Sequence, residues 1–164
     1  MNSRIFIKAT EGTLIVDPTY AKHRAELESA GVLWGAYHFF GHRTPGKEQA
    51  RNFIKTARLK RGNILPVLDI EWHRFMKDPK RSAREAKNFC REIKHYYGVN
   101  PIIYCSTNFY EKYLADTYCG SQITGSVPPC GGSSGSTPIR TGFRASRARL
   151  TATYFQAVPK SLKS

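Results

Sequence analysis

From Thr117 to Ser164 the sequence contains no Asp or Glu, although Arg140, Arg144, Arg147, Arg149, Lys160 and Lys163 remain. Folded domains intersperse both signs of charge, so an acid-free stretch of this length argues against an ordinary domain surface. Long apolar runs are also missing. None approaches the roughly 18 residues that would span a bilayer. At the start, Arg4, Lys8 and Glu11 interrupt the short apolar stretch and no small-residue cleavage site follows. The opening segment therefore does not read as a secretory signal. The cysteines Cys90, Cys105, Cys119 and Cys130 form no C-x-x-C pair and have no histidine at zinc-finger spacing, which argues against a metal-stapled module. No glycine-rich phosphate loop follows any strand candidate, which disfavours nucleotide binding. No internal repeat is visible.

What is present is enough for one domain. The chain has 164 residues, 40% of them hydrophobic, with abundant aromatics, a globular rather than a disordered composition. A formal charge of +14 would draw nucleic acid, teichoic acid, peptidoglycan or an anionic membrane alike. Because much of it falls in the acid-free tail, nucleic acid is not the expected partner. Cys90 lies on a helical pattern and Cys105 in an apolar strand, where buried thiols are expected. A disulfide between Cys119 and Cys130 stays open.

Up to about Asp116 the chain alternates strand-like runs with amphipathic stretches. Ile5–Ala9, Gly35–Phe40, Leu65–Glu71 and Pro101–Ser106 are short, β-branched or aromatic, and bounded by Gly, Pro or Asn. Between them, Asp17-Pro18 predicts a helix start for Tyr20–Ala30, stopped at Gly31. Thr44-Pro45 repeats the signal before Lys47–Leu59. Ser82–Tyr97 is a third helix with Gly98 as its stop, and Asn108–Leu114 a short fourth. Strand–helix–strand alternation predicts an α/β fold with a parallel sheet. Beyond Asp116, Gly120–Gly142 is rich in Gly, Ser, Thr and Pro, and the remainder is basic without clear periodicity, which predicts a disordered tail over 117–164.

The strongest constellation for chemistry is Val67-Leu68-Asp69-Ile70-Glu71. Residues i and i+2 of a strand share a face, so Asp69 and Glu71 project together. In a parallel barrel, acids at a strand's C-terminal end point into the mouth where active sites form. Two neighbouring carboxyls suit glycosidic cleavage, one held protonated and the other ionised, and their repulsion helps raise one pKa. A strand ending in two solvated acids is the plainer explanation of D-x-E alone. The other strand ends add weight: Lys8 to Gly12 carries charge, Tyr37 to Phe40 aromatics with an imidazole, and Tyr104 to Ser106 a phenol and hydroxyl. A sugar cleft needs such groups, hydroxyls to orient and ring faces to stack on pyranoses.

The segments F-I-K-A-T-E-G, G-A-Y-H-F, P-V-L-D-I-E and P-I-I-Y-x-S-x-x-F, in that order over Ile5 to Asp116, resemble successive strand motifs of family 25 glycoside hydrolases. That resemblance implies a partial (β/α) barrel of the TIM type and a muramidase-type lysozyme hydrolysing the β-1,4 bond between N-acetylmuramic acid and N-acetylglucosamine in peptidoglycan. It implies Glu71 as proton donor, Asp69 as its catalytic partner, Tyr37 and Tyr104 as sugar-contacting residues, and neither metal nor organic cofactor. His38 fits a sugar subsite or a satisfied core position equally. Glu11 fits the cleft or the barrel rim. Trp34 is expected in the barrel wall, whereas Trp72 fits either sugar contact or rim cover.

Family members begin with an Asp-bearing strand of the G-x-D-V-S type and close with P-L-W-I-A, W-Q-Y-S-D and V-D-x-N-x-F segments, none of which stands in this sequence. The closing motifs are permitted out of frame. If codons are formed from the third base of one codon and the first two of the next, Tyr118–Gly125 permits L-W-I-A-N-Y-R. Ser134–Ser146 then permits W-Q-Y-S-D-S-N-R-V-P-G-I, and Arg149–Ala157 permits V-D-C-N-V-F-S-G. The expectation is a one-frame slip near Ala115–Tyr118, genuine or an error of sequencing, after an incomplete catalytic domain at 1–116. Three classes remain distinguishable. A muramidase clears peptidoglycan, a binding remnant retains it without releasing reducing ends, and a nucleic-acid binder holds DNA with steep salt dependence.

Overall fold

Strands and helices alternate along the chain in the order β1 (Arg4–Glu11), β2 (Ile15–Val16), α1 (Tyr20–Ser29), β3 (Leu33–Phe39), α2 (Gly46–Ala57), β4 (Val67–Ile70), α3 (Pro79–Tyr97), β5 (Ile102–Cys105) and α4 (Thr107–Tyr113). The computed structural model describes residues 4–71 and 76–114, together with the backbone of 123–124, 145–146 and 149–151. Three short strands follow, β6 (Ile123–Thr124), β7 (Ala145–Ser146) and β8 (Arg149–Thr151), in a stretch where the sequence predicted none. The sheet order is β6-β5-β4-β3-β1-β8-β7, with β2 paired to β1. β1, β3, β4, β5 and β6 run parallel, while β8 is antiparallel to β1 and to β7. The expected α/β fold with a mostly parallel sheet is what the chain forms. Trp72, Cys119, Cys130 and, apart from β6, β7 and β8, the tail expected to be disordered and out of frame lie outside the described residues.

All of β4 is buried, as expected for a central parallel strand covered on both faces. On one face Ile7, Ala9, Ala36, Leu68, Ile70, Ile103 and Cys105 pack against Phe53, Phe89, Ile93 and Phe109 from the helices. On the other, Phe6, Ile64, Val67 and Ile102 form a smaller cluster bordered by Tyr37 and Tyr104. Cys90 and Cys105 are buried, as expected, and Trp34 is a wall residue at 3% exposure. Tyr20 donates its hydroxyl to the Ala57 carbonyl at 2.8 Å, tying α1 to the end of α2.

Two local features depart from the sequence expectation. Asp17 is not the N-cap of α1. That position is Thr19, and the Asp17 carboxylate instead accepts from the Thr19 N–H and hydroxyl in a local turn. α3 starts three residues before Ser82, because Asp78 caps it by accepting from the Arg81 N–H and Pro79 takes the first turn. Gly46, at the start of α2, lies so close to α3 that a Cβ there would stand 1.7 Å from the Glu85 carbonyl oxygen.

Candidate active site

Asp69 lies next to the end of β4, 6% exposed, and Glu71 stands just past the strand, exposed at the rim. In the register of the sheet Phe39, Asp69 and Tyr104 are side by side, as are Tyr37, Val67 and Ile102 one step earlier. Alternation then places Tyr37, Asp69 and Tyr104 on one face. Burial, and secondarily Glu71, push the Asp69 carboxyl up to about 7, opposed by Lys8. Its Oδ1 is buried without a hydrogen-bond partner among the described residues. Burial, then Asp69, holds the Tyr37 phenol up at about 12 and raises that of Tyr104. Both therefore stay protonated and able to donate.

A bulge in β1 completes this face. Lys8 pairs with Tyr37 but Thr10 pairs with His38, so the register slips by one residue at Ala9. Lys8 and Glu11 consequently reach the same side and form a 2.7 Å ion pair. The Lys8 ammonium also lies 5.1 Å from the centre of the Phe39 ring. Glu11 stands part-buried at the end of β1. It lines a cavity of about 520 Å³ with Gly12, Ile15, Phe39–Thr44 and Glu71.

His38 belongs elsewhere. It is fully buried on the helix-facing side, stacked 4.9 Å from Phe89. Its Nε2–H donates to Gln49 Oε1 at 3.0 Å and its Nδ1 lies 2.7 Å from the Thr10 hydroxyl. Burial pulls its pKa down to about 4, so the ring is neutral. Of the two readings open for His38, the structure places it in the core. Sequence reasoning missed His42, whose Nε2–H donates to the Glu71 carbonyl oxygen at 2.9 Å. Only the folding of the β3–α2 loop brings these two together, and no spacing in the sequence signals it. Lys8 was missed as well. The bulge after it, which brings Glu11 to the same side, has no strong mark in F-I-K-A-T-E-G.

The family profile of glycosyl hydrolases family 25 matches residues 3–124. The chain belongs to that family. An uncharacterized protein of Escherichia coli K12, YegX, is 34% identical over 110 residues, covering 67% of this chain and 40% of that one. The chain thus spans well under half the length of this relative. Among solved structures, a family 25 glycosyl hydrolase from Bacillus anthracis superposes with a TM-score of 0.72 at 24% identity, covering 93% of this chain and 78% of that one. A muramidase from Trichobolus zukalii gives 0.71 at 20% identity, covering 93% and 82%. The lysozyme of Streptomyces coelicolor gives 0.68 at 20%, covering 93% and 77%. At such identities these likenesses carry the fold.

Within this family 25 chain, the site sets a buried carboxyl with a raised pKa, Asp69, near a second one open to solvent, Glu71. Among the described residues no three His, Cys, Asp or Glu side chains are grouped to hold a metal ion. No described helix is long and apolar enough to cross a membrane.

Proposed function

We propose that the protein is a muramidase-type lysozyme, hydrolysing the β-1,4 bond between N-acetylmuramic acid and N-acetylglucosamine in peptidoglycan glycan strands. The observation that carries this reading is the pair Asp69 and Glu71, one buried and one at the rim, on the face that also bears Tyr37 and Tyr104. Glu71, facing the open cavity, protonates the leaving oxygen. Asp69, buried next to it, stabilises in its ionised form the positive charge that grows on the sugar ring. Tyr37 and Tyr104 donate to sugar oxygens and offer ring faces for stacking. Glu11 borders the cleft beside Lys8. His38 lies behind the sheet, while Trp72, next to the pair in sequence, is a further candidate for sugar contact.

Residues 1–116 form the catalytic part in this reading, and 117–164 is an out-of-frame continuation. Resequencing across the codons for Ala115 to Tyr118 tests the second statement. For the first, peptidoglycan is incubated with the chain and the new reducing ends are identified by mass spectrometry. N-acetylmuramic acid at those ends supports the assignment, whereas N-acetylglucosamine overturns it. Retention on peptidoglycan without new ends marks a binding remnant.

A further inference from the structure

Gln49 is fully buried near the start of α2, and its amide satisfies four hydrogen bonds. Its Oε1 accepts from His38 Nε2–H at 3.0 Å and from the Gly41 N–H at 2.8 Å. Its Nε2 donates to the carbonyls of Gly41 at 2.8 Å and Thr44 at 3.0 Å. Two carbonyl acceptors on the nitrogen fix the orientation of the amide. That orientation in turn requires His38 to carry its proton on Nε2 and to accept from the Thr10 hydroxyl on Nδ1. Thr10, His38 and Gln49 all have zero exposure. A fully satisfied buried network of this kind is rigid and costly to break.

The grip falls on the loop 41–44. Gly41 is already tightly placed, for a Cβ there would lie 3.1 Å from Thr44 Oγ1 and 3.3 Å from the Gly12 Cα. Between the residues that Gln49 holds stands His42, whose Nε2–H binds the Glu71 carbonyl and whose Nδ1 lies 3.2 Å from Ser82 Oγ on α3. Glu71 has just left the β4 ladder, which ends at Ile70. We propose that Gln49, locked by His38 and Thr10, is a positioning residue: it fixes the 41–44 loop so that His42 anchors the Glu71 backbone at the cleft rim. Displacing a donor by about 1 Å can cost on the order of a hundredfold in rate, so an anchor at this point bears on turnover. The inference rests on the reading of Glu71 as proton donor.

A double-mutant cycle tests it. Gln49→Glu retains the shape and the acceptor oxygen but loses the amide donors to Gly41 and Thr44. The expected result is a kcat about tenfold lower on peptidoglycan with KM within about twofold, and a similar loss for His42→Ala. The double variant should be no worse than the poorer single one. An unchanged kcat in folded Gln49→Glu, or losses that simply multiply, would overturn the proposal. If Gln49→Glu does not fold, Ser82→Ala reaches His42 from the other helix. Its kcat loss should vanish in the His42→Ala background, and a wild-type kcat overturns the link. A wild-type chain that releases no reducing ends sinks the muramidase reading instead. The His42 Nε2–H resonance then decides the positioning link alone: displaced in Gln49→Glu it stands, unmoved it falls.

Discussion

Asp69 and Tyr104 stand directly opposite each other on neighbouring parallel strands, the buried carboxyl beside a phenol whose pKa it helps to raise. Their adjacency follows from register alone, since β4 and β5 pair Val67 with Ile102 and continue in step to Ile70 and Cys105. A phenol held protonated next to a carboxyl keeps a proton to donate, and in the proposed mechanism it donates to a sugar oxygen. Tyr104→Phe should therefore reduce kcat/KM about tenfold, the worth of one hydrogen bond to a charged group, with little change in stability. Steady-state assays and thermal melts of the same samples check both halves.

The titration of two buried groups gives opposing pH dependences. Asp69 binds its proton more tightly folded than unfolded, with its pKa raised to about 7. Its contribution is present at low pH and is lost as pH rises through 7. His38 is lowered to about 4, so its contribution is present above its unfolded value and is lost as pH falls toward 4. In the wild type the two slopes largely offset each other between pH 4 and 6.5. Asp69→Asn should unmask the His38 slope, with stability rising over that range, and should make the chain more stable than wild type at pH 8. Denaturant melts at pH 4, 6.5 and 8 measure this directly.

Lys8 opposes the rise of the Asp69 pKa and is itself paired with Glu11. Removing its charge with Lys8→Met leaves Asp69 with burial and Glu71 alone. The Asp69 pKa should move above 7, and the acid limb of the activity profile, set by ionisation of Asp69, should move up with it. Titration of the Asp69 carboxyl carbon by NMR reads the shift without reference to activity.

Much of this was legible in the sequence, for identifiable reasons. Short β-branched runs bounded by Gly, Pro or Asn marked β1, β3, β4 and β5, and glycines at positive φ, Gly31 and Gly98, marked the helix stops. Alternation put Asp69 and Glu71 on one face, whereas the adjacency of Asp69 and Tyr104 needed the β4–β5 register. The same alternation implied that Tyr37 and His38 face opposite ways, so only one of the two was free to join the cleft. The bulge at Ala9 was not legible, because it depends on how β1 settles against β3, and with it went the pairing of Glu11 with Lys8. His42 and Gln49 escaped for a similar reason. Their contacts, to a main-chain carbonyl and to a loop, leave no trace in residue spacing. Asp78-Pro79 was legible and overlooked, although it is the same helix-start signal read at Asp17-Pro18.

Gly46 has no conformational need to be glycine, since its φ is not positive, but it has a steric one. A Cβ would meet the Glu85 backbone at 1.7 Å and force α2 away from α3. Gly46→Ala should cost about 3 kcal/mol or more, the upper range for overpacking. The displaced helix also carries Gln49, so activity should fall beyond what the stability loss alone explains. Urea unfolding, paired with assays well below the melting temperature, separates the two effects.

If Asp69 and Glu71 together cleave a glycan, the release of reducing ends from purified peptidoglycan separates the wild type from Glu71→Gln. The side chain of Glu71 is exposed, so the substitution should leave the melting temperature unchanged. It should lower the rate about a hundredfold or more, as expected for removal of a general acid. A folded Glu71→Gln variant that releases reducing ends at the wild-type rate would contradict the account.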